Sequence, residues 1–260
     1  MSRSSRRRAA YKLVVGVKNS IVENDWNFWV YPTPAERTEP EAVLVTSQWA
    51  ETEAKLAAGG RVLFLAVKGN LDPARSPPLK RVPVFWNIQM TVRPPQSRTA
   101  RFDGMMGLLV DAKHPALAGF PTERFCDFQW TPVIDNVPSV NLTDAPRELQ
   151  PIVAAVDDYN RSWRLGVVFE CRVGSGRLLV SSIDLANASA PVGTRQLRRS
   201  LVDYAAGENF QPQARLTVEQ VRRLWAGPAS APTKPAEARA DDPDLDDGSR
   251  KNPPAAAKKI

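Results

Sequence analysis

Residues 114–130, HPALAGFPTERFCDFQW, hold the single histidine of the chain, one of its two cysteines, acids at Glu123 and Asp127, and Trp130. Such types can support nucleophilic catalysis, in which a thiolate needs a base within hydrogen-bond reach and an oxyanion hole, commonly at a strand-to-helix elbow flanked by small residues. Cys126 follows His114 by twelve residues, but RFCDFQW is no elbow. Cys171, inside FECRV, has bulky neighbours and reads as a small core residue. GxSxG does not occur, and VGSGR and AAGGRV lack the length and lysine of a phosphate loop. Glycosidic cleavage needs two carboxylates flanking the bond, and nothing in the spacing of Glu123, Asp127, Asp157, Asp158, Glu170 and Asp184 singles out a pair. One histidine and no CxxC give no metal site, and no cofactor motif is read.

The same segment has a plainer reading. A histidine before proline, in a loop after a strand, commonly makes one backbone hydrogen bond and packs its ring; Gly119 permits a turn, Pro121 stiffens the exit, and Phe120, Phe125, Phe128 and Trp130 are apolar anchors. Between scaffold and catalysis lies binding. Trp86, Trp130 and Trp163 are candidate sugar-stacking faces, with Asn87, Gln129 or Asn160 as polar partners and His114 beside them.

The elements that position these residues read as an α/β chain. YKLVVGVKNS alternates Leu13, Val15 and Val17 on one side, as a half-buried strand does. NDWNFWVYP places Trp26, Phe28 and Val30 on one face and Trp29 and Tyr31 on the other, and two strands alone cannot bury both aromatic faces. EAVLVTSQWAETEAKLAAGGRVLFLAV reads as strand, helix, strand, with Ser47 as N-cap, Gly59-Gly60 as the stop, and Arg61–Val67 as a strand buried on both faces. This β-α-β unit points to an α/β domain. After a proline-rich loop come VPVFWNIQM and MMGLLVD, the second a buried-strand candidate ending at Asp111, where an open α/β sheet binds ligands. Three strands follow, in LQPIVAAVDDY, RLGVVFECRVG and RLLVSSID, with Gly174 and Gly176 free to take positive φ between the last two. VGTRQLRRSLVDYAAG is an amphipathic helix with Leu197, Leu201, Val202 and Ala205 on one stripe, and TVEQVRRLWAG a last helix capped by Thr217.

Of the net charge of +7 in 260 residues, +5 falls on residues 1–12 and none on the tail from Pro228, where six basic residues balance six acidic ones. The rest carries only +2, so no basic face is expected, and a phosphate-binding arm of Arg6, Arg7 and Arg8 is the weaker reading of a solvated terminus. Residues 228–260 contain no aromatic residue and almost no branched aliphatic, and are expected to be disordered. No stretch approaches a membrane span and no signal core follows the basic start, so the chain as encoded is expected in the cytoplasm.

Several stretches together resemble one family: ENDWNFWVYP, LAAGGRVLFLA, PVFWN, GLLVDAKHPALAGFPTERFCDFQW, LQPIVAAVDDYNRSWRLGVVFECRVGSGRLLVSSIDL and RQLRRSLVDY. Over about residues 20–210 they are similar to the C-terminal region of large bacterial proteins of the glycoside hydrolase family 2, β-galactosidase-like group. The resemblance implies a flavodoxin-like sheet flanked by helices, like the class I glutamine amidotransferase fold. It also implies that residues 11–32 are the last strands of a β-sandwich and residues 33–226 the accessory domain, while composition makes residues 1–10 a disordered basic arm and 227–260 a disordered tail. Trp26 and Trp29 would then pack against the missing sandwich. The family's catalytic barrel and its two glutamates lie upstream and are not in this chain, nor is the amidotransferase cysteine elbow, so neither activity transfers. The implied role is a non-catalytic accessory module, for domain packing, oligomerisation or carbohydrate contact, partnered by a separate or upstream glycosidase chain. It would lie outside the cytoplasm if the true start were upstream. The alternatives are an autonomous hydrolase using Cys126 or His114, and nucleic-acid binding through the arginine arm.

Overall fold

The computed structural model describes residues 9–32, 40–79, 105–135, 137–157 and 161–226. The arginine arm, the tail, Trp86, Asn87, Asp158 and Asn160 lie outside the described residues. The chain opens on an antiparallel hairpin of β1 (Ala9–Gly16) and β2 (Glu23–Val30), a two-stranded sheet of its own. Cross-strand register pairs Tyr11 with Phe28 and Leu13 with Trp26, so each pair shares a face.

An eight-stranded mixed sheet follows. Along its main path β3 (Val43–Thr46), β4 (Arg61–Leu65) and β11 (Gly176–Ser181) run parallel. Then β10 (Arg164–Val173), β9 (Val153–Val156) and β6 (Gly107–Val110) alternate antiparallel. Short β8 (Val140–Asn141) and β12 (Arg215–Leu216) pair with β10, and β5 (Pro78–Leu79) pairs with β7 (Val137–Pro138) apart from the sheet.

Strand β4 has the central position its composition implied, because Leu63 and Leu65 enter one apolar layer while Val62 and Phe64 enter the other. The first layer is closed by α2 (Val192–Ala206) through Leu197, Leu201 and Ala205. The second is closed by α1 (Trp49–Ala57) and α3 (Val218–Ala226) through Leu56, Val221 and Leu224. Helix α3 starts with a reciprocal cap: the Gln220 amide donates to Thr217 Oγ1 and the Thr217 amide to Gln220 Oε1.

Three local expectations need correction. The N-cap of α1 is Gln48, and the residue ordering that turn is Thr46, whose Oγ1 accepts from the Gln48 amide and donates to Glu51; Ser47 caps nothing. Gly174 has positive φ (60°), but Gly176 does not; a Cβ there would meet the Leu56 carbonyl oxygen at 2.6 Å, so Gly176 is needed for close approach of α1. Strand β6 is an edge strand rather than a buried one, with Leu109 58% exposed. It also runs opposite to β3, β4 and β11, so Asp111 at its end lies where those parallel strands begin, not at their C-terminal edge. An apolar run has no direction, and the ligand-edge rule for parallel sheets therefore does not reach this loop.

Candidate functional site

The segment after β6 is built from backbone-satisfying side chains. The Asp111 amide donates to the Ile152 carbonyl and the His114 amide to the Asp111 carbonyl, which turns the chain back on itself. His114 then stands just before a short 3-10 turn, Pro115–Leu117, and its Nδ1 accepts from the Ala116 amide at 3.2 Å. An accepting Nδ1 puts the proton of the neutral ring on Nε2. That nitrogen faces Glu170 Oε1 at 4.0 Å, and Glu170 Oε2 accepts from the Tyr204 hydroxyl at 2.7 Å. The His114 ring meets Tyr204 edge-on at 5.3 Å.

Burial acts on all three groups. It lowers the pKa of His114, against the opposing pull of Asp111, and raises that of Glu170, against the Tyr204 hydrogen bond. Burial also raises Tyr204, and the Glu170 carboxylate adds to the effect. Two residues of α2 hold the loop from behind: Ser200 Oγ donates to the Ala116 carbonyl and accepts from the Gly119 amide, while Gln196 donates to the Gly119 carbonyl. Beside them is a cavity of about 220 Å³ lined by Pro115, Gly119, Ser200, Asp203, Tyr204 and Asn209, among others.

The second half of the segment centres on Asp127. Its Oδ1 accepts from the Gln129 amide, capping the turn Phe128–Trp130. Its Oδ2 accepts from Thr122 Oγ1, the Glu123 amide and Gln129 Nε2. Burial raises the Asp127 pKa while these hydrogen bonds oppose the rise. Gln129, so oriented, donates to the Pro121 carbonyl and accepts from the Tyr31 hydroxyl at 2.6 Å. The Tyr31 ring stacks on Phe120, and Phe120 meets Trp130 edge-on at 5.0 Å. The segment is thus the seat in which the end of the hairpin rests.

These positions decide several sequence expectations. Trp130 is 0% exposed, with its indole nitrogen bonded to Thr122, so it offers no stacking face to a sugar. The Gln129 amide is committed on both sides. Trp163 is half-buried with the Arg161 guanidinium 5.0 Å over its ring, and Asp157 accepts from that same arginine and from the Trp163 amide. Trp26 and Trp29 fall on opposite faces of the hairpin, so one flat partner cannot cover both. Cys171 is fully buried, its thiol pushed up to about 12, as suits a core residue. The His114 ring nitrogens face Ala116 and Glu170 rather than Cys126, which is half-buried against the core. Sequence reasoning did not connect Tyr204 or Glu170 with His114. The available signal was an acid directly after the apolar run GVVF, in mid-strand, since a carboxylate there calls for a partner. Among the described residues no group of three His, Cys, Asp or Glu could hold a metal ion, and no helix is long and apolar enough to cross a membrane.

Residues 44–226 match the family model described as "Domain of unknown function (DUF8487)". The chain belongs to this family. The match begins inside β3 and ends with α3, so it takes in the mixed sheet but for Val43, together with the 114–130 segment, and leaves the hairpin outside. No curated protein matches the chain.

Proposed function

We propose that the chain is a non-catalytic accessory module of a glycoside hydrolase family 2, β-galactosidase-like protein, acting by contact rather than by chemistry. The α/β unit is read as amidotransferase-like, supported by three parallel strands with α1 crossing between β3 and β4 and α2 following β11. The observation that carries the reading is the role of the reactive-looking residues in 114–130. His114, Asp127 and Gln129 hold backbone groups and, through Tyr31, the hairpin. The hairpin lies outside the family match and presents an uncovered apolar face, as two strands detached from a larger β structure would. The test is binding between the purified full chain and the product of a neighbouring glycosidase gene, by calorimetry, with a glycan array in parallel. Binding to either supports the module, and binding to neither, by a chain that also stays monomeric, contradicts it.

A second reading has one observation in its favour. The Nε2–H of His114 and the Glu170 carboxyl lie 4.0 Å apart beside the 220 Å³ cavity, a donor and an acceptor of the kind hydrolases use for proton transfer. It predicts a turnover that Glu170→Gln abolishes.

A further inference from the structure

Among the described residues, ten of the sixteen exposed large hydrophobic side chains belong to residues 11–30. Register sorts those on the strands. One face carries Tyr11, Leu13, Val15, Trp26, Phe28 and Val30, with Asn24 at its rim, and no charge. The other carries Lys12, Glu23, Asp25 and Asn27 beside Ala10, Val14 and Trp29, with Lys12 paired to Asp25 at 2.8 Å. The six apolar side chains are each 43–54% exposed. A half-exposed aromatic leaves about 100 Å² uncovered and a half-exposed aliphatic about 60 Å². The face therefore offers about 500 Å², and two copies together about 1,000 Å², the threshold for a specific interface.

We infer that this face docks on the same face of a second copy of the chain, giving a two-fold dimer whose centre is a four-stranded sandwich of two hairpins. The inference rests on the contact-module reading and names the partner. In a two-fold contact every residue meets the same surface of its twin, so a charged patch would repel itself, and this face holds no charge. Two flat strand pairs about 10 Å apart are the ordinary geometry of packed sheets. An isolated two-stranded hairpin is marginal in water, and such a contact supplies the missing layer. Seating by Tyr31 on Gln129 and Phe120 keeps the face at a fixed angle to the α/β unit, which limits the ordering cost of association. An area at the threshold belongs with weak, transient contacts, so the concentration series must reach high values.

The test is sedimentation velocity of the full chain from low micromolar to a few hundred micromolar. Wild type is expected to shift from monomer to dimer. Trp26→Glu should raise the dissociation constant by more than about 100-fold, because each dimer would bury two carboxylates. Val14→Glu, on the polar face, should leave it unchanged. Hydrogen exchange on unmodified protein guards against hairpin unfolding in the variant: amides of residues 9–30 should gain protection as concentration rises. A monomer at every concentration, or a dimer indifferent to Trp26→Glu with no gain in hairpin protection, overturns the inference. A monomer that binds the glycosidase through this face overturns the second copy while leaving the contact module standing. A monomer that binds nothing overturns both.

Discussion

Tyr31→Phe removes one hydroxyl and keeps the ring. The lost bond is the 2.6 Å donation to Gln129 Oε1, and Gln129 is only 9% exposed, so its acceptor is left dry. A hydrogen bond contributes about 0.5–1.5 kcal/mol net, and an abandoned buried acceptor costs about 1–3 kcal/mol. The expected loss is about 1.5 kcal/mol, and it falls on the opening of the hairpin away from the sheet. The substitution cuts the joint between hairpin and sheet, not the sheet, so the loss should be local. Hydrogen exchange of residues 9–32 and 120–130 should accelerate about tenfold, while amides of β4, β10 and β11 hold their rates. Unchanged hairpin exchange, or equal acceleration everywhere, would refute the claim that 114–130 is the seat of the hairpin.

Three further outcomes follow from the same contacts. His114 should titrate below 6.5, because burial outweighs Asp111; its neutral form then contributes stability above pH 6.5 that is lost as pH falls through the folded value. Its lone ring resonance makes this readable by NMR, and a midpoint at or above 6.5 would contradict the burial argument. Gly176→Ala forces a methyl to within 2.6 Å of the Leu56 carbonyl oxygen and should cost about 1–3 kcal/mol in urea denaturation, whereas an unchanged midpoint would show that α1 can move away. Cys171 should resist thiol reagents at pH 8 until the chain unfolds, and modification of the native protein at an ordinary rate would exclude its place in the core.

Periodicity and punctuation made most of the fold legible. The β-α-β unit, the three successive strands and the two later helices, one ended by Gly207 and the other started by Thr217, appear where apolar spacing, glycines and Thr217 put them. Strand direction was not legible, since GLLV has the same apolar content whether it runs parallel or antiparallel. Apolar content alone therefore puts the loop after Asp111 at the wrong end of the sheet. The 114–130 segment was readable as a stiff aromatic loop, but its purpose was not. Tyr31 meets Gln129 across 98 residues, and no local pattern encodes a contact of that separation. The Glu170, Tyr204 and His114 meeting is hidden for the same reason, as it joins a strand, a helix and a loop. Exposure was the other blind spot: Trp130 and Trp26 look alike in sequence, yet one is sealed in the core and the other is 46% exposed.

The central claim, that the distinctive residues hold the molecule together rather than turn over a substrate, is tested most directly by assaying the purified full chain. It would be run against a panel of glycoside, ester and amide substrates, beside His114→Ala, Cys126→Ala and Glu170→Gln. The account predicts no turnover by the parent or any variant, with His114→Ala altering stability alone. Turnover by the parent that His114→Ala or Glu170→Gln abolishes, in a protein that remains folded, would contradict it.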